Sequence, residues 1–312
     1  MSTQTHHTGQ TVPHDKQTGT SVEDIPCEPW ELILPIEGTQ IASGVATVEF
    51  HDKLYVFFIK EKQPDVLSLG YLVMIKNAHS KLVVESRHEL TVAAVGRFRP
   101  AVTVYDNHLF CFYTGTDQRI RYLAYSGLQW SPTILVPHLL TADAPAVVSH
   151  EQALYLALQG TVEGQFFHKV FENFTWGKNI QSPTLRITGS PALCLFNDKP
   201  TAAIEGLDGL LHIFEFSDNT WQRTYKSSLP GTFGSPALNV WNGLLIYGLQ
   251  KHVSKRYVTE AVHSAGTSPY YSKTIGAYLS PPCLSVYKGD FYLIGQRPCN
   301  DIGVSLFNPE CL

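Results

Sequence analysis

The chain has 312 residues, a formal net charge of −4, and 16% charged against 44% hydrophobic residues. That apolar fraction is enough for a large core and excludes global disorder. No run of about 18 apolar residues occurs, so we predict no membrane-spanning helix. The slight excess of acidic residues argues against nucleic acid as a partner, because such binding depends on neutralising phosphates.

The first 26 residues are polar and lack the apolar segment of a signal peptide. We therefore expect a disordered tail over residues 1–26, followed by one domain over residues 27–312. Without a signal peptide, the expected location is cytoplasmic, or outside the cell after release by a route that needs no such signal.

A repeat of 45 or 46 residues organises the rest of the chain. Pro-Ala or Pro-Cys recurs at Pro100, Pro145, Pro191, Pro236 and Pro282. A related copy starts at Val45 and carries an insertion within Glu61–Ser80. In each copy, two apolar segments flank a polar turn that suits a hairpin. Such turns are Asp106-Asn107, Asn197-Asp198, Asn242-Gly243 and Lys288-Gly289.

Each copy is typical of four consecutive antiparallel strands, the fourth of which begins at a tryptophan. Trp130, Trp176 and Trp221 each stand 15 residues before the next proline. Units of this kind at this spacing predict an all-β fold, a single six-bladed β-propeller of four-stranded antiparallel blades. The repeat phase favours it over the alternative, a pair of β-sandwiches.

Trp30 lies 15 residues before Val45, although no complete copy precedes it. We therefore predict that the N-terminal strand over Pro29–Pro35 closes the last blade, whose other three strands come from the end of the chain. This arrangement removes open sheet edges. Small residues after the prolines should line the axis, where inner strands converge: Ala46, Ala101, Ala146, Ala192 and Ala237.

Two of the six cysteines flank the closing strands. Cys27 precedes the N-terminal strand and Cys311 follows the third strand of the same blade. A disulfide between them would hold the ring shut, since those strand ends are neighbours in an antiparallel pair. The alternative is two reduced cysteines, as in most cytosolic proteins.

Polar residues recur at the end of the second strand of four copies. They are Gln159, Glu205, Gln250 and Gln296. Amides both donate and accept hydrogen bonds, so this ring can bind sugar hydroxyls; the alternative is polar strand ends in solvent. Trp130, Trp176 and Trp221 likewise suit two roles, packing between blades or platforms for a ligand.

No motif of a known catalytic site, phosphate-binding loop or metal site appears, and no metal-ligand cluster repeats with the blades. We therefore predict no cofactor and no metal, and the sequence favours a protein without enzymatic activity.

The segment Pro100–Ser131, and in part Pro236–Leu249, resembles the repeats of propeller lectins. These include six-bladed fungal fucose-binding lectins and related bacterial and tachylectin-like propellers, and the resemblance covers residues 28–312. It implies an arginine early in each second strand and a glutamate in each third strand. Here the second-strand positions hold Tyr55, Phe110, Tyr155, Thr201, Ile246 and Tyr292. Fucose specificity therefore does not carry over.

Three functions remain open. The first is a lectin-like propeller that binds a glycan or small polar ligand through several weak sites. The second is an enzyme with a single axial pocket, such as a hydrolase, lyase or isomerase. The third is a scaffold for a protein partner or a toxin-associated module. The sequence does not indicate an oligomeric state.

Overall fold

A computed structural model of the chain describes residues 30–227, 235–250, 256–262 and 270–309. Within these ranges the chain forms strands and no α-helix. The described residues accordingly contain no helix with the length and apolarity needed to cross a membrane. The predicted tail over residues 1–26 lies outside the described residues.

The first three sheets follow one another along the chain after strand β1 (Trp30–Ile36). Sheet 1 consists of β2 (Ala46–Phe50), β3 (Lys53–Gln63), β4 (Val66–Lys76) and β5 (Leu82–Leu90). Sheet 2 consists of β6 (Ala101–Tyr105), β7 (His108–Thr114), β8 (Arg119–Tyr125) and β9 (Ile134–Leu140). Sheet 3 consists of β10 (Ala146–His150), β11 (Ala153–Gln159), β12 (Phe166–Glu172), β13 (Thr175–Trp176) and β14 (Ile180–Gln181).

The remaining sheets repeat this order, and the last of them includes β1. Sheet 4 consists of β15 (Thr188–Phe196), β16 (Lys199–Glu205), β17 (Leu211–Ser217) and β18 (Thr220–Lys226). Sheet 5 consists of β19 (Ala237–Trp241), β20 (Leu244–Gln250), β21 (Arg256–Val262) and β22 (Tyr270–Ala277). Sheet 6 consists of β23 (Cys283–Tyr287), β24 (Asp290–Gln296), β25 (Ile302–Phe307) and β1.

The first strands of the sheets lie side by side around an axis. Strand β2 contacts β6, β6 contacts β10, β10 contacts β15, β15 contacts β19, β19 contacts β23, and β23 returns to β2. All strand pairs are antiparallel. The prediction of an all-β propeller built from small antiparallel sheets is confirmed.

The hairpins between first and second strands turn where the sequence predicted. Both residues of Asp106-Asn107, with φ of 47° and 54°, lie in the left-handed region. The same holds at Asn197-Asp198, Asn242-Gly243 and Lys288-Gly289. Two consecutive positive φ values match the right-handed twist of the paired strands, and asparagine, aspartate and glycine adopt them at least cost.

Strand β1 closes sheet 6, as the position of Trp30 predicted. It runs antiparallel to β25, with Trp30 opposite Phe307 and Ile36 opposite Ile302. The Trp30 ring packs 5.0 Å from Phe307 and 5.3 Å from Phe291, measured between ring centroids. Cys27 and Cys311 lie outside the described residues, so their disulfide stays a prediction.

Two sequence-based expectations about strand bounds need correction. The fourth strand of sheet 2 begins at Ile134 and not at Trp130, which forms only an isolated bridge with Tyr125. Pro132 follows and has no N–H to continue the ladder. In sheet 3 the fourth strand is split into β13 and β14, with residues 177–179 between them. The insertion predicted within Glu61–Ser80 of the first copy lies where β3 and β4 extend to 11 residues each.

Candidate functional site

An axial cavity of about 260 Å³ runs between the first strands. The five alanines that the sequence placed at the axis, Ala46, Ala101, Ala146, Ala192 and Ala237, all line it. Its polar groups are largely paired already. Asn239 donates to the Leu284 carbonyl at 2.9 Å, and the Thr47 hydroxyl lies 3.3 Å from the Cys283 thiol.

Arg99 lies across one end of this cavity. Its guanidinium donates to the backbone carbonyls of Pro191 and Pro236 at 3.1 and 3.4 Å, in two sheets on the far side of the ring. Beside it, the Ser190 hydroxyl donates to the Asp143 carboxylate at 2.8 Å. These bonds tie the starts of several sheets together, so the polar groups of this mouth are used to hold the ring.

The predicted ring of amides lies at this same end of the sheets, and it belongs to the junctions between them. Gln296 is buried, and its amide donates to the carbonyl of Ile41 at 2.7 Å and to Asn300 at 3.1 Å. Thr114, at the equivalent place in sheet 2, similarly donates to the Asp143 carbonyl at 3.3 Å. Glu205 is buried as well.

Gln159 is the last residue of β11 and is half-buried. Gln250 is the last residue of β20. The structure thus places these four residues at equivalent strand ends. Their role in binding stays a prediction.

The tryptophans lie between neighbouring sheets. Trp130 packs on Phe57 and Tyr71 of sheet 1, and its indole N–H donates to the Tyr71 hydroxyl at 3.4 Å. Trp176 packs on Phe112 and Tyr122 of sheet 2. Trp221 packs in the same way on Phe166 and His168 of sheet 3. The packing role is confirmed, while a role as a ligand platform stays a prediction.

Two larger openings lie between sheets, at the opposite end from Arg99. The 2/3 cleft, between sheets 2 and 3, has a volume of about 690 Å³. It is lined by Asp106, His108, Phe110, Tyr122, Ala124, Ser126, Gln129, Trp130, Ser131, Pro132, Ile134, Phe171 and Phe174. Its walls are mostly aromatic, and its hydrogen-bonding groups lie at the rim.

The 3/4 cleft, between sheets 3 and 4, has the same volume of about 690 Å³. It is lined by Glu151, Gln152, Ala153, Tyr155, His168, Val170, Glu172, Ile180, Phe216 and Asn219. Tyr155 and Phe216 meet edge to face, with ring centroids 5.4 Å apart. The Phe216 ring also lies 5.3 Å from that of His168.

The two clefts are built at equivalent positions, one repeat apart. Strand register places Phe110 opposite Ala124 in sheet 2 and Tyr155 opposite Val170 in sheet 3. Equivalent pairs, with the 2/3 cleft residue first, are Asp106 and Glu151, Phe110 and Tyr155, Tyr122 and His168, Ser126 and Glu172, Ile134 and Ile180, Phe171 and Phe216, and Phe174 and Asn219. The clefts therefore share a frame and differ in their side chains.

His168 distinguishes the floor of the 3/4 cleft. The residue is 3% exposed, and neither ring nitrogen has a hydrogen-bond partner among the described residues. Burial lowers the pKa of His168 to about 4, so the ring is neutral at pH 7. It then offers one N–H donor and one acceptor that the described protein does not use.

Tyr155 lines this cleft together with two carboxylates, those of Glu151 and Glu172. Burial raises the pKa of the Tyr155 hydroxyl, and the charges of Glu151 and Glu172 raise it further. Both glutamates are exposed. No lysine or arginine is found among the described residues that line this cleft, so its rim carries a local negative charge.

Comparisons with solved structures identify other propellers of similar shape. The chain superposes on the crystal structure of AofleA from Arthrobotrys oligospora with a TM-score of 0.67 and 12% identity, over 90% of this chain and 87% of that one. It superposes on the SapL1 lectin in complex with alpha methyl fucoside with a TM-score of 0.66 and 11% identity, over 86% and 95% of the two chains.

A third similar structure is the Trypanosoma rangeli sialidase in complex with the inhibitor DANA. The TM-score is 0.58 and the identity 10%, over 86% of this chain but only 55% of the sialidase. At such identities the likeness shows the fold alone. No family model matches the sequence, and a search of curated proteins finds no match either.

Among the residues that line the clefts, the sequence analysis named Trp130 as a possible ligand platform. It noted Phe110 and Tyr155 as second-strand positions and Asp106 as a turn residue, and it missed the others. A signal was present: Phe110 and Tyr155, and likewise Phe171 and Phe216, are 45 residues apart. What the sequence lacked was the orientation of neighbouring sheets, which decides whether such aromatic residues fill a core or border an opening.

Proposed function

We propose that this protein is a carbohydrate-binding propeller without enzymatic activity, in which each of the six sheets acts as one blade and the 2/3 and 3/4 clefts bind sugars. The observation that carries the proposal is the construction of both clefts at equivalent positions of successive sheets. Aromatic faces with hydrogen-bonding groups at the rim suit sugar rings, which present C–H faces and hydroxyl edges.

The comparisons support this function at the level of the fold. SapL1 is a lectin with a bound fucoside, and the sequence repeats of this chain resemble those of fucose-binding propellers. Where the resemblance implies arginines early in the second strands, Phe110 and Tyr155 border the clefts. The proposed ligands therefore differ from fucose, and affinity comes from aromatic contact more than from ion pairing.

A glycan array followed by titration calorimetry tests the proposal. We expect at least one glycan with up to two binding sites per chain, each weak. Tyr155→Ala and Phe174→Ala should each weaken binding in one cleft about tenfold, or by about 1.4 kcal/mol. Leu207→Ala is the matched control, because Leu207 is 56% exposed and borders neither cleft.

The rival functions give different results. A ligand that binds once per chain and is unaffected by both cleft variants would favour an enzyme with an axial pocket. Failure of every glycan to bind, together with recovery of a stable protein complex, would favour the scaffold. Either result contradicts the proposal.

A further inference from the structure

The 3/4 cleft differs from its neighbour in the two groups that determine ligand charge. Glu172 stands where the 2/3 cleft has Ser126, and Glu151 stands where it has the shorter Asp106. Both glutamates act on the Tyr155 hydroxyl strongly enough to contribute to its raised pKa. Two carboxylates therefore line the 3/4 cleft, whereas Asp106 is the one carboxylate among the described residues that line the 2/3 cleft.

The walls and floor of the 3/4 cleft suit a small polar ligand with an apolar face. Tyr155 and Phe216 are half-buried and offer ring surface. Beneath them, His168 has two buried nitrogens without a partner among the described residues. An unpaired buried polar group costs free energy, which a ligand hydroxyl recovers when it bonds to one of these nitrogens. His168 thus points to a ligand independently of the glutamates.

A sugar that carries a protonated amine matches the carboxylates, the aromatic rings and the histidine of this cleft. An ammonium group is attracted both by carboxylates and by the faces of aromatic rings. The hydroxyls of a sugar provide the partner that the floor needs, and its C–H face packs on the rings. Neutral histidine on the floor adds no opposing positive charge, and among the described lining residues there is no basic side chain to repel the ligand.

We propose that the 3/4 cleft binds amino sugars with a free, protonated amine, held by Glu151 and Glu172 above the His168 floor. This inference rests on the proposed function, because it names the ligand class of one of its two sites. The 2/3 cleft, with Ser126 in place of Glu172, has no such preference.

Calorimetric titration with a glucosamine trisaccharide, and with its N-acetylated counterpart, tests this assignment at mildly acidic pH, where the amines of the free sugar are protonated. We expect the free amine to bind about tenfold more tightly at low salt. The difference should shrink in high salt, because surface charges are screened. Equal affinity of the two sugars at low salt would overturn the inference.

Matched substitutions separate the glutamates from the rest of the cleft. Glu172→Ser, which copies the 2/3 cleft, and Glu151→Gln should each reduce the preference for the free amine over the N-acetylated sugar. The reciprocal change Ser126→Glu should create a preference for the amine in the 2/3 cleft. All three positions are exposed, so thermal melting should show unchanged folding. A preference that survives Glu151→Gln and Glu172→Ser together would overturn the inference.

A probe without sugar distinguishes failure of the inference from failure of the proposed function. If 1,5-diaminopentane binds in a manner that needs Glu172, while no glycan binds, the amine site stands and the carbohydrate function is wrong. If neutral glycans bind in both clefts and the free amine confers no advantage, the carbohydrate function stands and the amine site is wrong.

Discussion

The 2/3 and 3/4 clefts are built from equivalent strands in the same register and have the same volume, yet one is an aromatic pocket and the other an acidic pocket over a buried histidine. The cross-strand pair that contains Tyr122 in one cleft and His168 in the other shows the difference. In sheet 2 this pair is Phe112 and Tyr122, and in sheet 3 it is Ala157 and His168. The comparison teaches that a repeat can keep its backbone while each opening acquires its own chemistry.

The largest effect should come from removing β1. This strand closes the ring of sheets, and both clefts depend on that ring. Deleting residues 1–36 removes β1, leaves the β25 edge unpaired and uncovers Phe307. We expect aggregation or loss of the cooperative unfolding transition, measured by differential scanning calorimetry, and equal loss of binding in both clefts.

The shorter deletion of residues 1–26 is the control for this truncation, and we expect it to unfold like the full chain. If the longer deletion also unfolds like the full chain, sheet 6 does not need β1. If it destroys only one cleft, the two sites do not share a common frame.

Replacing the histidine of the 3/4 cleft should have the next largest effect. Below pH 6.5 the unfolded chain protonates His168, whereas the folded protein does so only near its lowered pKa of about 4. Stability is therefore lost as the pH falls from about 6.5 to about 4. One pKa unit corresponds to about 1.4 kcal/mol, so this loss amounts to at most about 3.5 kcal/mol.

His168→Phe should remove this part of the acid sensitivity, and at pH 7 it should raise the melting temperature, because two unpaired nitrogens leave the core. Denaturant unfolding at several pH values measures both effects. His79→Phe, at an exposed position, is the control. A variant as acid-sensitive as the parent would show that His168 gains a proton or a partner in the folded state.

The smallest effect concerns the turn beside the 2/3 cleft. Phe174 adopts a φ of 57° and is 72% exposed, and its equivalent beside the 3/4 cleft is Asn219, with a φ of 60°. A left-handed backbone costs a phenylalanine about 1 kcal/mol more than it costs an asparagine. We expect Phe174→Asn to stabilise the fold by that amount in chemical denaturation.

The same variant should weaken sugar binding in the 2/3 cleft and leave the 3/4 cleft unchanged. Asn219→Phe is its counterpart and should destabilise the protein by a similar amount. If Phe174→Asn stabilises the fold without any loss of binding, the Phe174 ring has no part in the site.

Most of the fold could be predicted because it follows from the repeat of 45 or 46 residues, which is visible in the sequence. The prolines mark where first strands begin, and the polar turns mark where they end. Trp30, 15 residues before Val45, marks the strand that closes the last sheet. Strand ends were less predictable where a single residue interrupts the ladder, as Pro132 does before β9.

The candidate site was less predictable, because it depends on contacts between sheets. Gln296 has the pattern of a ligand-binding amide, but its partners are Ile41 and Asn300, which belong to the junction with the next sheet. His168 looked like one histidine among thirteen. Only the placement of Phe216 and Trp221 against it shows that it is buried.

The pairing of β1 with β25 also sets the order in which this protein can complete its structure during synthesis. Trp30–Ile36 leaves the ribosome early, but its partner Ile302–Phe307 is made last among the described strands. At ordinary rates of translation the first strand waits for tens of seconds with its backbone unpaired. The sheets between them can form in turn from local hairpins, so ring closure is the step with the longest loop and the step most exposed to pairing with another chain.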